Sequence, residues 1–205
     1  MDISLLNNLW KASFRKSIND ENKLVDATAS FKQPIFLGNS IFIKSDAIDV
    51  NVIPGDTFLC KVFLSDIKQT EYVSIDYDKE TIIISSSKKN IRGNIEISLP
   101  VLSEVKIDTL NADVYISHIK TEIIDISSDN GDISADIEDD ILEGKFSTQN
   151  GDITLKLPEN IYKLNLKTDA GDLTKKVKSV RDSSKVIKCK TECGDIFVAG
   201  NSGKR

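Results

Sequence analysis

Apolar residues stand at every second position through much of the second half of the chain. In "KFSTQNGDITLKLP" and "CKTECGDIFVAG" this alternation runs on both sides of a central Gly-Asp pair. A two-residue period places apolar side chains on one face of a β-strand, and glycine is typical of turns. Each such segment therefore predicts a strand, a tight turn and a second strand.

The segment recurs at a nearly constant spacing. Aligned on the turn, the copies have Gly93, Ala112, Gly131, Gly151, Gly171 and Gly194, which are 19, 19, 20, 20 and 23 residues apart. Repeats of this length with two short strands are typical of solenoids, in which each coil buries its apolar side against the next coil. The sequence predicts an all-β protein, a right-handed parallel β-solenoid with about 20 residues per coil; the hand follows from the rule for parallel crossovers. An antiparallel meander of hairpins is the alternative, since Asn-Gly also favours hairpins.

The repeated glycines and aspartates have a structural interpretation. Glycine adopts backbone conformations that a Cβ atom disfavours, and an aspartate beside a turn accepts hydrogen bonds from backbone N–H groups. We predict structural turn roles for Gly93, Gly131, Asp132, Gly151, Asp152, Gly171, Asp172, Gly194 and Asp195. Calcium binding by the stacked aspartates is the alternative, although calcium-binding β-rolls have nine-residue repeats with several glycines per turn. We predict no catalytic residue, no metal ligand and no cofactor.

These motifs support a resemblance to a known family. The run from "GNIEISLP" through "KIDTLNADVYI", "DISSDNGDISADI" and "NLKTDAGDLTKKV" to "CKTECGDIFVAG" resembles the putative adhesin family, whose members carry T/S-x-x-G-D-I/V/L repeats and a domain of unknown function. The resemblance covers 93–200, extends less regularly over 36–92, and implies a β-solenoid.

His118 and Lys175 depart from the pattern because they fall in otherwise apolar columns. Its place in an apolar column predicts that the His118 side chain points inward and is hydrogen-bonded. A role as a buried base or pH switch is the alternative.

The first part of the chain has a different pattern. Ile3, Leu6, Trp10, Phe14 and Ile18 recur at helical spacing, which predicts an amphipathic helix. We interpret 1–35 as an N-terminal helical arm that caps one end of the solenoid, and 36–203 as the solenoid itself, most regular over 93–200. A mitochondrial targeting segment is the alternative for 1–35.

Composition and charge narrow the classes of function and the cellular location that we expect. The chain has 205 residues, a net charge of -5 and three cysteines without metal-ligand spacing, which argues against general nucleic-acid binding and favours a reducing compartment. Acidic residues are concentrated over 122–143 and basic residues over 175–190. No apolar run is long enough for a membrane span, and we expect an intracellular, cytoplasmic protein, with a mitochondrial location as the alternative.

The sequence therefore favours a binding protein over an enzyme. We predict a non-catalytic, adhesin-like interaction or scaffold module that binds a protein partner of unknown identity on its sheet faces. The alternatives are an enzyme of the carbohydrate-acting β-helix kind and a self-assembling, filament-forming solenoid. We also expect weak self-association through the C-terminal end, where the last strand would present unpaired backbone groups.

Overall fold

All regular elements in the described part of the molecule are β-strands. The computed structural model describes residues 14–18, 25–29, 40–56, 59–64, 73–78, 81–86 and 93–201. In chain order the strands are β1 (Phe14–Ile18), β2 (Val25–Ala29), β3 (Ser40–Ser45), β4 (Asp49–Pro54), β5 (Leu59–Leu64), β6 (Val73–Asp78), β7 (Thr81–Ser86), β8 (Gly93–Leu99), β9 (Leu102–Thr109), β10 (Val114–Ile119), β11 (Thr121–Asn130), β12 (Ile133–Ile137), β13 (Glu143–Asn150), β14 (Ile153–Leu157), β15 (Lys163–Ala170), β16 (Leu173–Lys176), β17 (Val186–Cys193) and β18 (Ile196–Gly200). The all-β prediction is confirmed.

Strands of successive repeats pair in parallel. Val114 lies opposite Ile133, and Ile133 lies opposite Ile153, so the pairing register follows the spacing of the sequence repeat. A coil consists of one strand from each of two sheets and the corner that joins them. Parallel stacking of coils, and not a meander of hairpins, therefore builds this part of the protein.

The two sheets share one core. A ten-stranded sheet and an eight-stranded sheet contribute their inner faces to a single hydrophobic cluster. One inner column of the ten-stranded sheet holds Val50, Val114, Ile133, Ile153 and Ile196, and one inner column of the eight-stranded sheet holds Ile43, Ile107, Ile126, Phe146 and Cys189. Each is at most 2% exposed. Full burial of an aliphatic side chain contributes about 1.5–3 kcal/mol, so these columns hold the coils together.

The coils do not stack in the order of the sequence. The ten-stranded sheet ends in the order β12-β14-β18-β16, and the eight-stranded sheet begins β15-β17-β13. The coil of β17 and β18, here called the inserted coil, thus lies between the coil of β13 and β14 and the coil of β15 and β16, here called the outer coil. The first half shows the same arrangement, because β3 lies between β9 and β7 and β4 lies between β10 and β8.

This order corrects our prediction about the C-terminal end. β18 pairs with β14 on one side and β16 on the other, so the last strand is not an edge. At this end of the two sheets the edge strands are β15 and β16 of the outer coil, where Leu173 is 51% exposed. Self-association through unpaired groups of the last strand therefore has the wrong structural basis.

Lys175 lies on the exposed strand of the outer coil. It stands opposite Val198, which is fully buried, yet Lys175 itself is exposed and its Nζ donates to Ser179 Oγ at 3.0 Å. A lysine in an inward column is tolerated here because no further coil covers it among the described residues. An inward charge also discourages pairing of another strand with the edge.

The N-terminal half differs from a regular solenoid. β5 pairs antiparallel with β8, β6 pairs antiparallel with β7, and β2 pairs antiparallel with β5. Phe14–Ile18 is strand β1 and pairs antiparallel with β2, so the helix predicted there is wrong; pairing with the sheet overrides the helical spacing of Phe14 and Ile18. Ile3, Leu6 and Trp10 lie outside the described residues. Within the described part of the chain, no helix has the length and apolar character of a membrane span.

Candidate functional site

The corners between the paired strands form a stack of closely spaced backbones. A Cβ atom added to Gly151 would lie 2.2 Å from the carbonyl oxygen of Gly131, and one added to Gly194 would lie 2.0 Å from that of Gly151. Backbone atoms cannot move aside as the end of a flexible side chain can, so a Cβ atom at these positions would overpack the corner. A Cβ atom added to Gly171 would likewise lie 2.0 Å from Gly194 O. These glycines are therefore required mainly because the backbones of neighbouring coils approach closely.

A column of hydroxyl groups lies beneath these glycines. Thr148 Oγ1 donates to Gly131 O at 3.0 Å, Thr191 Oγ1 donates to Gly151 O at 3.0 Å, and Thr168 Oγ1 donates to Gly194 O at 2.9 Å. Thr148 and Thr191 are buried, where an unpaired hydroxyl would be costly. The Ser or Thr three residues before each glycine therefore links its corner to the neighbouring coil.

The aspartates form a ladder from coil to coil. The Oδ1 of each carboxylate except that of the last, Asp172, accepts a hydrogen bond of 2.8–3.0 Å from the backbone N–H of the equivalent aspartate in the next coil. In spatial order the ladder is Asp49, Asp113, Asp132, Asp152, Asp195 and Asp172. Burial raises the pKa of Asp49, the first member, while the bond from the Asp113 N–H opposes that shift. The carboxylates thus satisfy corner donors that sheet pairing leaves free.

Most of the predicted turn residues lie at the corners that the ladder connects. Gly131, Gly151, Gly171 and Gly194 occupy the corners, and the aspartate that follows each of them belongs to the ladder. Gly93 instead is the first residue of β8, where it lies opposite Leu64 of β5.

Sequence reasoning missed one corner of the ladder. Ser45 and Asp49 occupy the positions of Thr109 and Asp113, and Ser45 Oγ donates to Ile48 O at 2.7 Å. Alignment on glycine misses this copy because Ile48 stands where other copies have glycine. The serine, aspartate and following valine of "SDAIDV" were the available signal.

Asparagines form a second, shorter ladder on the outside of the corners. Asn130 Nδ2 donates to Asn111 Oδ1 at 2.9 Å, and Asn150 Nδ2 donates to Asn130 Oδ1 at 2.8 Å. Asn-Gly in this sequence thus serves stacking as well as the local turn. Asparagine recurs in the sequence at the spacing of the turn glycines, and this recurrence was a signal for the ladder.

The described residues contain no group of three or more His, Cys, Asp or Glu side chains placed to hold a metal ion. In the ladder, Oδ1 of Asp132 already accepts from the Asp152 N–H, and Oδ1 of Asp152 accepts from the Asp195 N–H. The geometry of this column fits backbone capping.

His118 does not point into the core, and the sequence-based prediction is wrong. The register shifts between Ser117 and Ile119, so that Ile119 takes the inward position opposite Ile137. His118 is exposed with φ 53, and its Nδ1 lies 3.0 Å from Ser117 Oγ. A β-bulge adds one residue to the strand and turns the side chain outward.

Lysines are concentrated on the outer face of the eight-stranded sheet. Lys145 lies opposite Lys188, and Lys167 lies opposite Lys190. With Asp125, Ser147 and Asn165 these four side chains line a concavity of about 760 Å³, here called the lysine face. Lys145 and Lys188 both contact Glu143 Oε1 at 3.4 Å. Lys145 also lies 3.9 Å from Asp125 Oδ2, and Lys167 lies 3.0 Å from Asp169 Oδ1. No described carboxylate lies within ion-pair distance of Lys190, so among the four lysines Lys190 is the one whose charge is not paired by the described residues.

Other basic residues pair with acidic residues of the same chain. Lys185 Nζ lies 2.6 Å from Asp140 Oδ2, and the hydrogen bond from Lys185 is the main cause that holds the pKa of Asp140 below its usual range. The acidic segment 122–143 and the basic segment 175–190 thus neutralise each other in part.

We predict that Lys185→Met raises the pKa of Asp140 towards its ordinary value of 3.8. Because the folded-state pKa is lowered, the pair stabilises the fold above the ordinary pKa, and this contribution is lost as the pH falls through the lowered value. A carboxylate-detected NMR titration measures the change. Lys188→Met is the control, since it should raise the pKa of Glu143 instead; an unchanged Asp140 in Lys185→Met would contradict the pairing.

The buried cysteines are poor nucleophiles. Burial raises the pKa of both Cys60 and Cys189 to about 12, which keeps them as thiols at neutral pH. Cys193 is an exposed free thiol in a corner. The described residues therefore show no buried, activated thiolate.

The chain matches solved structures to different extents. A protein described as a putative cell adhesion protein from Clostridium sporogenes has a TM-score of 0.62 and 15% identity, over 87% of this chain and 100% of that chain. A putative adhesin from Bacteroides fragilis has a TM-score of 0.42 and 15% identity, over 89% of this chain and 100% of that chain. No curated protein matches the sequence. The family model described as Toastrack DUF4097 matches residues 83–203, and the chain belongs to this family.

Proposed function

We propose that the protein is a non-catalytic, adhesin-like interaction or scaffold module, and that a protein partner binds its lysine face. In this proposal the coils form a right-handed parallel β-solenoid with about 20 residues each, of the Gly-Asp repeat kind. The observation that carries the proposal is the concavity lined by Lys145, Lys167, Lys188 and Lys190. The description of the Clostridium sporogenes protein as a putative cell adhesion protein agrees with a binding role.

The lysine face is suited to binding because it lies on a rigid support. Its residues belong to β11, β13, β17 and β15, which are hydrogen-bonded neighbours in that order. Directly beneath them, Phe146 and Cys189 are at most 2% exposed. A binding group on packed strands is held in place before the partner arrives, which reduces the entropy lost on binding.

The charge of the lysine face indicates the chemistry of the partner. Lys190 is exposed without an ion-pair partner among the described residues, while Ser147 and Asn165 beside it offer neutral hydrogen-bonding groups. An acidic surface of a protein partner would complement this face and be steered towards it. We therefore expect the partner to present carboxylates.

Cross-linking capture from an extract of the source cells tests the proposal. We expect Lys145→Ala with Lys190→Ala to reduce capture of specific partners about tenfold, equivalent to about 1.4 kcal/mol. The control is Lys156→Ala with Lys176→Ala, which removes the same charge from exposed positions of the other sheet. Equal losses for the two double variants, or none for either, would contradict binding at the lysine face.

A further inference from the structure

The inserted coil fills a slot between two coils that are neighbours in the sequence. β13 and β14 lie on one side of the slot, and β15 and β16 lie on the other. The chain completes both walls of the slot before it supplies the coil that fills it. The walls and the filling segment are therefore separate in sequence, and the contacts between them define a binding site.

Both walls recognise the same short motif. On one side Thr191 Oγ1 donates to Gly151 O, and the Asp195 N–H donates to Asp152 Oδ1 at 2.8 Å. On the other side the Asp172 N–H donates to Asp195 Oδ1 at 2.8 Å, and Gly194 O accepts from Thr168. The slot thus selects a Thr-x-x-Gly-Asp corner flanked by extended strands.

The interior of the slot also fits this segment. Ile187, Ile196 and Val198 are fully buried. Gly144 in the wall leaves room for Ile187, whose Cδ1 would lie 3.0 Å from a Cβ atom at that position. An empty slot would expose apolar side chains and strand edges on both walls, so an occupant of matching sequence is strongly favoured.

The inserted coil reaches the slot through an exposed connection. Residues 177–185 join it to the outer coil, and Val180 in this connection is 50% exposed. The connection is held by several contacts, among them the bond from Val180 N to Tyr162 O at 2.9 Å, the bond from Ser183 Oγ to Ile161 O at 2.7 Å and the ion pair of Lys185 with Asp140 at 2.6 Å. Exchange requires their release. Fully extended, nine residues span up to about 30 Å, which is enough to reach a neighbouring molecule.

We propose that the slot binds the inserted coil of a second copy of this chain, so that two molecules exchange residues 186–201 reciprocally. The segment and the slot come from the same sequence, so every contact of the segment with the slot walls within one chain can form between two chains. Exchange of an identical element is a low-cost route to a dimer. This inference does not depend on the lysine face or on a protein partner.

Peptide entry into the folded protein tests the slot. A protease recognition sequence replaces residues 180–184 in the full chain, and cleavage after folding leaves the inserted coil bound without a covalent connection. A labelled synthetic peptide of residues 186–201 is then added in excess. We expect it to replace the native segment and co-elute with the protein. A peptide with Gly194→Ala should enter at least about 100-fold more weakly, because its Cβ would lie 2.0 Å from Gly151 O.

The matched control is a peptide with Gly200→Ala. At that position a Cβ would contact only Val177 Cγ1, at 3.8 Å, so entry should equal that of the native peptide. Failure of the native peptide to enter, or equal entry of the Gly194→Ala peptide, would overturn the proposed recognition.

Exchange between intact chains tests the second copy. Two populations with different fluorescent labels are mixed at high concentration, and we expect dimers that carry both labels on size-exclusion chromatography. A disulfide between Ser147→Cys and Lys190→Cys, which lie opposite each other in β13 and β17, should block exchange until it is reduced; Cys193→Ser removes the exposed thiol. Peptide entry without mixed dimers, or mixed dimers despite the disulfide, would overturn the proposal.

Discussion

Gly194→Ala should lower the free energy of unfolding by about 3 kcal/mol, which combines backbone strain with overpacking. Gly194 has φ 149, and its added Cβ would lie 2.0 Å from Gly151 O and 2.6 Å from the carbonyl carbon. Both contacts are with backbone in the next coil, so relief requires separation of the coils. For a chain of this length the melting temperature should fall by roughly 6–12 °C.

Gly200→Ala is the control for this effect, because it makes the same substitution in the same coil. With its nearest new contact at 3.8 Å, it should change the free energy of unfolding by at most about 1 kcal/mol. Urea denaturation measures both variants. Similar stabilities for the two would show that the coils are not held at the spacing described.

Phe146→Ala should lower the free energy of unfolding by about 3–5 kcal/mol, through lost burial and the cavity left behind. Phe146 is 1% exposed and lies in the inner column between Ile126 and Cys189. Its ring fills the space over Gly144, where a Cβ would lie 2.9 Å from Phe146 Cε2. The small residue and the large one are thus complementary.

Phe197→Ala is the control for Phe146→Ala, because it removes an aromatic ring from a position outside the core. Phe197 lies on the outer face, where Lys176 Nζ is 5.2 Å from the ring centroid. Its loss should cost about 1 kcal/mol or less, the usual worth of an exposed cation–π contact. Thermal melts followed by circular dichroism compare the variants; equal destabilisation would contradict the assigned faces.

The corner columns could be predicted from the sequence because their chemistry repeats at each coil. Thr148, Gly151 and Asp152 have fixed spacing, and the same spacing recurs in the neighbouring copies. Period-2 alternation then determines which residues face inward. These are local regularities, and local patterns are what a sequence displays directly.

The order of the coils could not be predicted in this way, because the repeats are chemically interchangeable at their corners. Gly171 and Gly194 make equivalent contacts, so corner chemistry does not decide which coil lies outside. The inward residues do decide it. Lys175 excludes its coil from the interior, whereas Ile196 and Val198 suit their coil to it. Lys175 was therefore a sign of an end, although the sequence alone presented it as a departure from the repeat.

The local irregularities follow from single residues. An extra residue in "ISHI" turns His118 outward and lets Ile119 take the buried position. Ile48 in place of glycine concealed the corner of β3 and β4. In both cases the alternation continues on either side, so only pairing with the neighbouring strand reveals the register.

The slot has a consequence for the synthesis of the chain on the ribosome. Residues 186–200 are translated after both walls of the slot, yet they lie between them. A chain whose translation stops before residue 186 lacks β17 and β18, the strands with which β15 and β16 pair, and it leaves apolar faces uncovered for chaperones or proteases to recognise. Stepwise stacking from the N-terminus therefore cannot complete this fold. A complete core therefore requires that translation has continued through the inserted coil.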